Sequence, residues 1–313
     1  MRLYAISYDD TGVLREFAEK QSIPYPLLSD VDSAVIRRFG VQNTLIGTDD
    51  AFLYGIPFPG AFVTDEDGRV IAKFFPNTYK KRDSPETFLD AALGRVELSD
   101  DTPRATGGEP SVRITAAVHG GKGTLRQGVL RKIVVRFELD PGLHLYGEPV
   151  PQGMTPTRVR IEAPPGFVTE PPILPPTEPL EIASSGVELE VFSQSFDIQV
   201  PFYADARLAS EVRPLDMEFA NVSVCVDYQA CDDHNCLLAR TERLELAIPL
   251  DVIDVPALSL HRGHGQREGN YNGTPHMRRL FFRKLKEHPL GLLRFLAKNA
   301  RLEWAARKRK QKT

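Results

Sequence analysis

The chain has 313 residues, 42% of them hydrophobic and 26% charged, with a formal net charge of −3. That length favours two domains over one, and the composition is that of a globular chain rather than a disordered one. No apolar run reaches the about eighteen residues that a membrane-spanning helix needs.

The charge is unevenly placed. Of 39 Lys+Arg and 42 Asp+Glu, residues 261–313 carry 15 and 3, which leaves 24 and 39 to the rest. An acidic body with a basic tail is expected, and the tail should favour anionic surfaces. The opening MRLYAISYDD reads as a strand and lacks the basic, apolar and small-residue regions of a secretory leader, so the expected location is the cytoplasm.

Residues 3–8 (LYAISY) form a short apolar run ended by Asp9 and Asp10, a buried strand followed by a turn. Residues 11–21 follow as an amphipathic helix with Val13, Leu14, Phe17 and Ala18 on one face and Asp10 or Thr11 as N-cap. An extended PYPLLSD piece leads to a helix over 32–39 with Gly40 past its C-terminus. Residues 60–65 and 69–75 pair as a hairpin around Asp65-Glu66-Asp67-Gly68, and a last helix runs from Ser84 to the stop at Gly94. This is an α/β layout over residues 1–98. Residues 99–111 (SDDTPRATGGEPS) are polar, aperiodic and rich in Pro and Gly, and read as a linker.

Residues 112–256 change texture. VRITAAV, KIVVRFEL, RVRIEAP, VELEVF, FDIQVPF, LDMEFANVSVCV and RLELAIPLDVI are short β-rich segments, several alternating apolar with polar, separated by Pro-rich turns. Seven or eight strands over this length imply an antiparallel sandwich of immunoglobulin-like type. Residues 257–313 form a basic tail. Its part 257–274 is expected to be disordered, and its part 276–310 helical, broken at Pro289 and Gly291. Arg and Lys flanking Leu, Phe and Trp there suit an anionic membrane surface, and no nucleic-acid-binding motif accompanies the charge.

All three cysteines, Cys225, Cys231 and Cys236, fall within twelve residues. Such clustering suits local thiol chemistry better than a disulfide framework. Between Cys231 and Cys236 stand Asp232, Asp233, His234 and Asn235, all turn formers that let the chain fold back and bring the sulfurs together. Closing so small a loop stabilises little, so a bridge there fits exchange chemistry better than structural support. Three alternatives stand: a redox-active pair, a static bridge or inert thiols, and a metal site that adds His234 and Cys225. A protonated His234 favours thiolate, while Asp232 and Asp233 oppose it. Cys225, inside VSVCV, reads as a buried core thiol. The other histidines, His144 among them, show no ligand spacing.

The stretch AISYDDTGVLREFAEKQSIPYPLLSDVDSAVIRRFGV, with YGIPFPGAFVTDEDGRVIAKFF after it, resembles the alkyl hydroperoxide reductase/thiol-specific antioxidant (redoxin) family of thioredoxin-like proteins. The resemblance implies an α/β thioredoxin-like fold and a cis proline at Pro59, facing substrate. It also shows a departure. The family's reactive cysteine lies on a βα unit ahead of the strand that here begins at Leu3, and residues 1–98 contain no cysteine. A chain start placed late, or a remnant domain, is the expectation, with a bare sheet edge and an uncovered apolar face.

Tyr228-Gln229-Ala230-Cys231, Cys236, and the strand at 244–250 resemble the N-terminal immunoglobulin-like domain of the thiol:disulfide interchange protein DsbD, as do GLHLYGE, PTRVRIEAPPGF and EPLEI with VELEVF. The resemblance implies that Cys231 and Cys236 are the redox pair; Tyr228, His234, Asp232 and Asp233 beside them are the expected modulating residues. It also implies an aromatic shield over the loop, for which Tyr146 is a candidate on a loose alignment. The implied activity is thiol-disulfide exchange, with Cys231 attacking and Cys236 resolving. The implied partners are thioredoxin-like thiol proteins or a peroxide, with no metal and no cofactor. The alternative is a non-catalytic module that binds thiol-redox partners while its tail recruits them to an anionic surface.

Overall fold

The computed structural model describes residues 2–47, 55–76, 81–182, 187–210, 213, 217–232 and 234–252, with scattered residues between 278 and 300. The readings of residues 257–274 and of most of 276–310 lie outside these. The chain divides into two compact units, residues 1–83 with 88–96, and residues 84–87 with 97–313.

In the first unit, β1 (Ala5–Ser7), α1 (Thr11–Gln21), β2 (Leu27–Ser29) and α2 (Ala34–Arg38) alternate, and β1 pairs with β2 in parallel. Asp10 caps α1, its carboxylate accepting from the amides of Gly12 and Val13. At α2 the cap comes from Asp30, whose carboxylate accepts from the amides of Val35 and Ile36. The strands β3 (Ala61–Thr64) and β4 (Val70–Phe74) form the expected hairpin, closed by the Asp65 side chain on the Arg69 amide and by Gly68 at φ 80°. A two-residue β5 (Arg82–Asp83) and α3 (Pro85–Leu93) follow.

The two strand pairs of this unit are separate two-stranded sheets. Apolar side chains stay exposed on both, with Ile6 at 42%, Leu28 at 45% and Ile71 at 50%. On α1, Leu14 is buried, whereas Val13 and Phe17 are half exposed. The expectation of a cis bond at Pro59 is corrected: the cis X–Pro bond among the described residues is Glu148–Pro149. The backbone before Pro59 is already fixed by the Gln42–Pro57 bridge and by the Phe58 amide on the Val41 carbonyl. An ordinary trans bond, favoured by about 0.5–1 kcal/mol, then delivers the chain into β3.

The second unit is the β-sandwich. Its strands are β6 (Arg104–Glu109), β7 (Val112–His119), β8 (Val129–Leu139), β9 (His144–Tyr146), β10 (Arg158–Glu162), β11 (Phe167–Thr169), β12 (Glu178–Ile182), β13 (Val187–Ser193), β14 (Ser195–Ala204), β15 (Phe219–Tyr228), β16 (Ala230–Cys231) and β17 (Arg240–Pro249). One sheet runs β11-β14-β8-β7-β6, a second β10-β15-β17, and a third β12-β13-β9-β16. Period-two alternation builds the core. Ile114, Ala116 and Val118 of β7, Ile133, Val135 and Phe137 of β8, and Ile198, Val200 and Phe202 of β14 meet Val222, Val224 and Val226 of β15 and Leu244, Leu246 and Ile248 of β17. Each large apolar side chain buried this way contributes about 1.5–3 kcal/mol.

The linker reading of residues 99–111 is corrected in its second half, because β6 pairs with β7 along its whole length. Its polar, glycine-rich sequence hides an edge strand in which glycine is a steric requirement. A Cβ on Gly108, at φ 106°, would lie 2.0 Å from the Val112 carbonyl oxygen.

Candidate functional site

The third sheet carries the site. Strand β9 lies between β13 and β16, placing His144 opposite Cys231 and Leu145 opposite Ala230. After Cys231 the chain reverses. The Asp232 carboxylate accepts from the amides of His234 at 2.7 Å and Asn235 at 2.6 Å, and the Asp232 amide donates to the Asn235 carbonyl. These two amide bonds, the largest influences on it, hold the Asp232 carboxyl below its usual range. The turn returns Cys236 to Cys231, and the two form a disulfide with Cα atoms 4.0 Å apart.

The two sulfurs occupy different environments. Cys231 is 1% exposed and packs with Tyr146, Leu189 and Val191, with Val150, Met154 and Leu180 at the margin. Cys236 is exposed, as are Asp232, His234 and Asn235 around it. Tyr146, 3% exposed, sets its hydroxyl 3.4 Å from Cys236 Sγ, and its ring meets His144 edge to face at 5.6 Å. Burial pushes the Tyr146 phenol up, so at neutral pH it is protonated and able to donate to sulfur. Gln229 braces the loop's base, accepting from the Thr155 amide and donating to the Leu237 carbonyl.

Of the residues read from the sequence, Cys231, Cys236, Asp232 and His234 come together. Asp233 lies outside the described residues, and Pro59 belongs to the other unit. Tyr228 packs in a different buried cluster from Cys231. It is a fully buried member of the sandwich core, and its hydroxyl has no hydrogen-bond partner among the described residues. Cys225 is the buried thiol that the sequence predicts, and the structure adds the face on which it is buried. It is buried at 4%, on the outer face of β15, between Arg160 of β10 and Arg243 of β17 in register. Arg243 covers it at 3.8 Å and ion-pairs with Glu162 and Glu245. Burial first, then the Glu162 carboxylate, push the Cys225 thiol up. Cys231 and Cys236 are bonded to each other, and Cys225 lies on another strand, β15.

His144 shows no ligand spacing in the sequence. Its position opposite Cys231 comes from pairing across β9, which no local pattern encodes. Tyr146, a candidate by resemblance alone, is the aromatic group at the sulfur. Replacing it with phenylalanine keeps the packing and removes the donor. Thiol-disulfide exchange of Tyr146→Phe near pH 7 is expected to slow about three- to tenfold. Stopped-flow exchange rates measure this, and an unchanged rate would remove Tyr146 from the site.

Residues 1–73 match the model of the AhpC/TSA family, and residues 123–248 match that of the thiol:disulfide interchange protein DsbD, N-terminal. No curated protein matches the chain. Among solved structures, the N-terminal periplasmic domain of ScsB from Proteus mirabilis aligns at 13% identity and a TM-score of 0.32, over 46% of this chain and 50% of that one. The DsbD n-terminal domain of Neisseria meningitidis in the reduced form aligns at 13% identity and a TM-score of 0.26, over 47% of this chain and 84% of that one. The chain thus spans half the length of the ScsB domain. A redoxin-like segment and a DsbD-like segment in one chain indicate a role in thiol-disulfide redox chemistry.

Proposed function

We propose that the chain is a thiol-disulfide oxidoreductase that exchanges electrons with thioredoxin-like thiol proteins through Cys231 and Cys236, with Cys236 as the entry sulfur. The observation that carries this is the asymmetry of the bridge: one cysteine is an exposed residue on a reverse turn, its sulfur beside a phenolic donor, and the other is sealed in an apolar cluster. A partner thiolate attacks Cys236 Sγ in line with the S–S bond. That bond breaks, its electron pair leaves on Cys231 Sγ, and a partner–Cys236 mixed disulfide forms. The partner's second thiolate then attacks the sulfur of its own first cysteine. The partner departs as a disulfide, two electrons remain on Cys231 and Cys236, and solvent supplies their protons.

Residues 1–98 have no cysteine to act as a peroxide-reducing thiolate, so the activity is assigned to the sandwich. Reduced thioredoxin is expected to reduce the Cys231–Cys236 disulfide of the full chain about 100-fold faster than dithiothreitol at equal concentration, because binding supplies proximity that a small thiol lacks. Quenching with a mass-tagging alkylator and reading the masses against time gives both rates. Equal rates would reject the reading and leave a static bridge.

A further inference from the structure

The backbone around Cys236 carries a second kind of information. Two hydrogen bonds flank the cysteine pair: the Leu237 amide donates to the Ala230 carbonyl at 2.8 Å, and the Asp232 amide donates to the Asn235 carbonyl at 2.8 Å. Cys231 and Cys236 between them are therefore a non-hydrogen-bonded antiparallel pair, in which each residue turns its own N–H and C=O away from the other. For Cys231 those groups face β9, where it pairs with His144. For Cys236 they face outward, past the last strand of the sheet ordered β12-β13-β9-β16. Neither its N–H nor its C=O enters a backbone hydrogen bond among the described residues. The same holds for Leu238, two residues on along the same edge.

An unpaired strand edge is a template for another strand, and folded proteins ordinarily blunt such edges with charge, proline or cover. Here the edge is flanked by apolar side chains, with Leu238 at 85% and Leu237 at 38% exposure. The edge coincides with the exposed cysteine of the pair.

We propose that Cys236 docks its partner by strand addition: an extended segment of the thiol protein pairs with the N–H and C=O of Cys236, with an apolar side chain resting on Leu238. This rests on the exchange function proposed above and specifies how that site recognises its partner. The occupant must supply a carbonyl and an amide at ladder spacing together with an apolar neighbour. A peptide segment does so, and a small thiol does not. Pairing at the cysteine itself also fixes register, since strands lie about 4.8 Å apart and neighbouring side chains on one face come within reach of each other. The attacking sulfur is then held beside Cys236 Sγ, so specificity and chemistry share one residue.

The test uses the full chain with thioredoxin as the probe. In Leu238→Asp the ratio of the thioredoxin rate to the dithiothreitol rate falls about tenfold, because a charge replaces the apolar contact and would have to be desolvated. Independently, Cys231→Ser is joined through Cys236 to a thioredoxin whose resolving cysteine is serine, and amide exchange is followed by NMR. The Cys236 and Leu238 amides exchange about tenfold more slowly in the adduct than in free Cys231→Ser, as amides entering a ladder do. Unchanged exchange in the adduct would overturn strand addition, as would an unchanged rate ratio in Leu238→Asp. Protection in the free variant together with a doubled mass would assign the edge to a second copy and also overturn it. A wild-type disulfide reduced no faster by thioredoxin than by dithiothreitol would instead remove the exchange function on which the inference stands.

Discussion

Cys231→Ser, reduced and then mixed with a disulfide-bonded thioredoxin, is expected to accumulate a covalent adduct about 100-fold faster than Cys236→Ser under the same conditions. The reason is access. Attack on a disulfide needs three sulfurs nearly in line, and Cys236 is exposed while Cys231 is 1% exposed beneath Tyr146, Leu189 and Val191. Exposing Cys231 requires lifting at least one large apolar side chain, at about 1.5–3 kcal/mol. With each tenfold in rate worth about 1.4 kcal/mol, that is about ten- to 100-fold before orientation is counted. The order of roles proposed here is the reverse of the one the sequence suggests, in which Cys231 attacks and Cys236 resolves. Adducts resolved by non-reducing electrophoresis give the two rates. Faster accumulation in Cys236→Ser would restore the sequence order and require the Tyr146 cluster to open in solution.

Most sandwich strands were legible because alternation is a local signal. RLELAIP keeps Leu244, Leu246 and Ile248 on one face, and the structure buries all three. The α1 cap at Asp10 was legible for the same reason. Cys225 is buried as its place in VSVCV predicts, and the alternation also tells which face it takes. Val222, Val224 and Val226 are core, so Cys225 lies one residue out of phase and faces outward. Ser223 and Cys225 are buried on that outer face because Arg243, in the neighbouring strand β17, covers it. What lies across strands was not legible. His144 opposite Cys231, Tyr146 against Cys236 and the free edge of Cys236 all depend on the pairing of β9 with β16, and β16 is only two residues long. The strand β6 was missed because steric need, not hydrophobic pattern, selects its glycines.

Tyr228→Ala is expected to lower the unfolding free energy of the sandwich by about 3–5 kcal/mol, and Tyr228→Phe to change it by no more than about 1 kcal/mol. Tyr228 is fully buried among the apolar residues of β15 and β17, so truncation leaves a cavity the size of a ring. Its hydroxyl is buried with no partner among the described residues, so deleting that oxygen loses no bond and relieves a desolvated group. Burial first, then the Glu109 and Glu242 carboxylates, push its phenol up to about 12. The folded state therefore holds this proton more tightly than the unfolded chain, whose tyrosine titrates near about 10. The stabilisation is complete below about pH 10 and is lost as pH rises toward about 12. Urea titrations followed by far-ultraviolet circular dichroism should show wild type losing more stability than Tyr228→Phe across that window. The redox readout separates this packing role from the modulating one its place beside the cysteines suggests. Reduction of the Cys231–Cys236 disulfide in Tyr228→Phe should run within about twofold of wild type, since among the described residues the hydroxyl set against the sulfur is that of Tyr146. A phenylalanine variant equally stable but about tenfold slower would place Tyr228 in the exchange chemistry, acting through the stem of the loop that begins one residue beyond it.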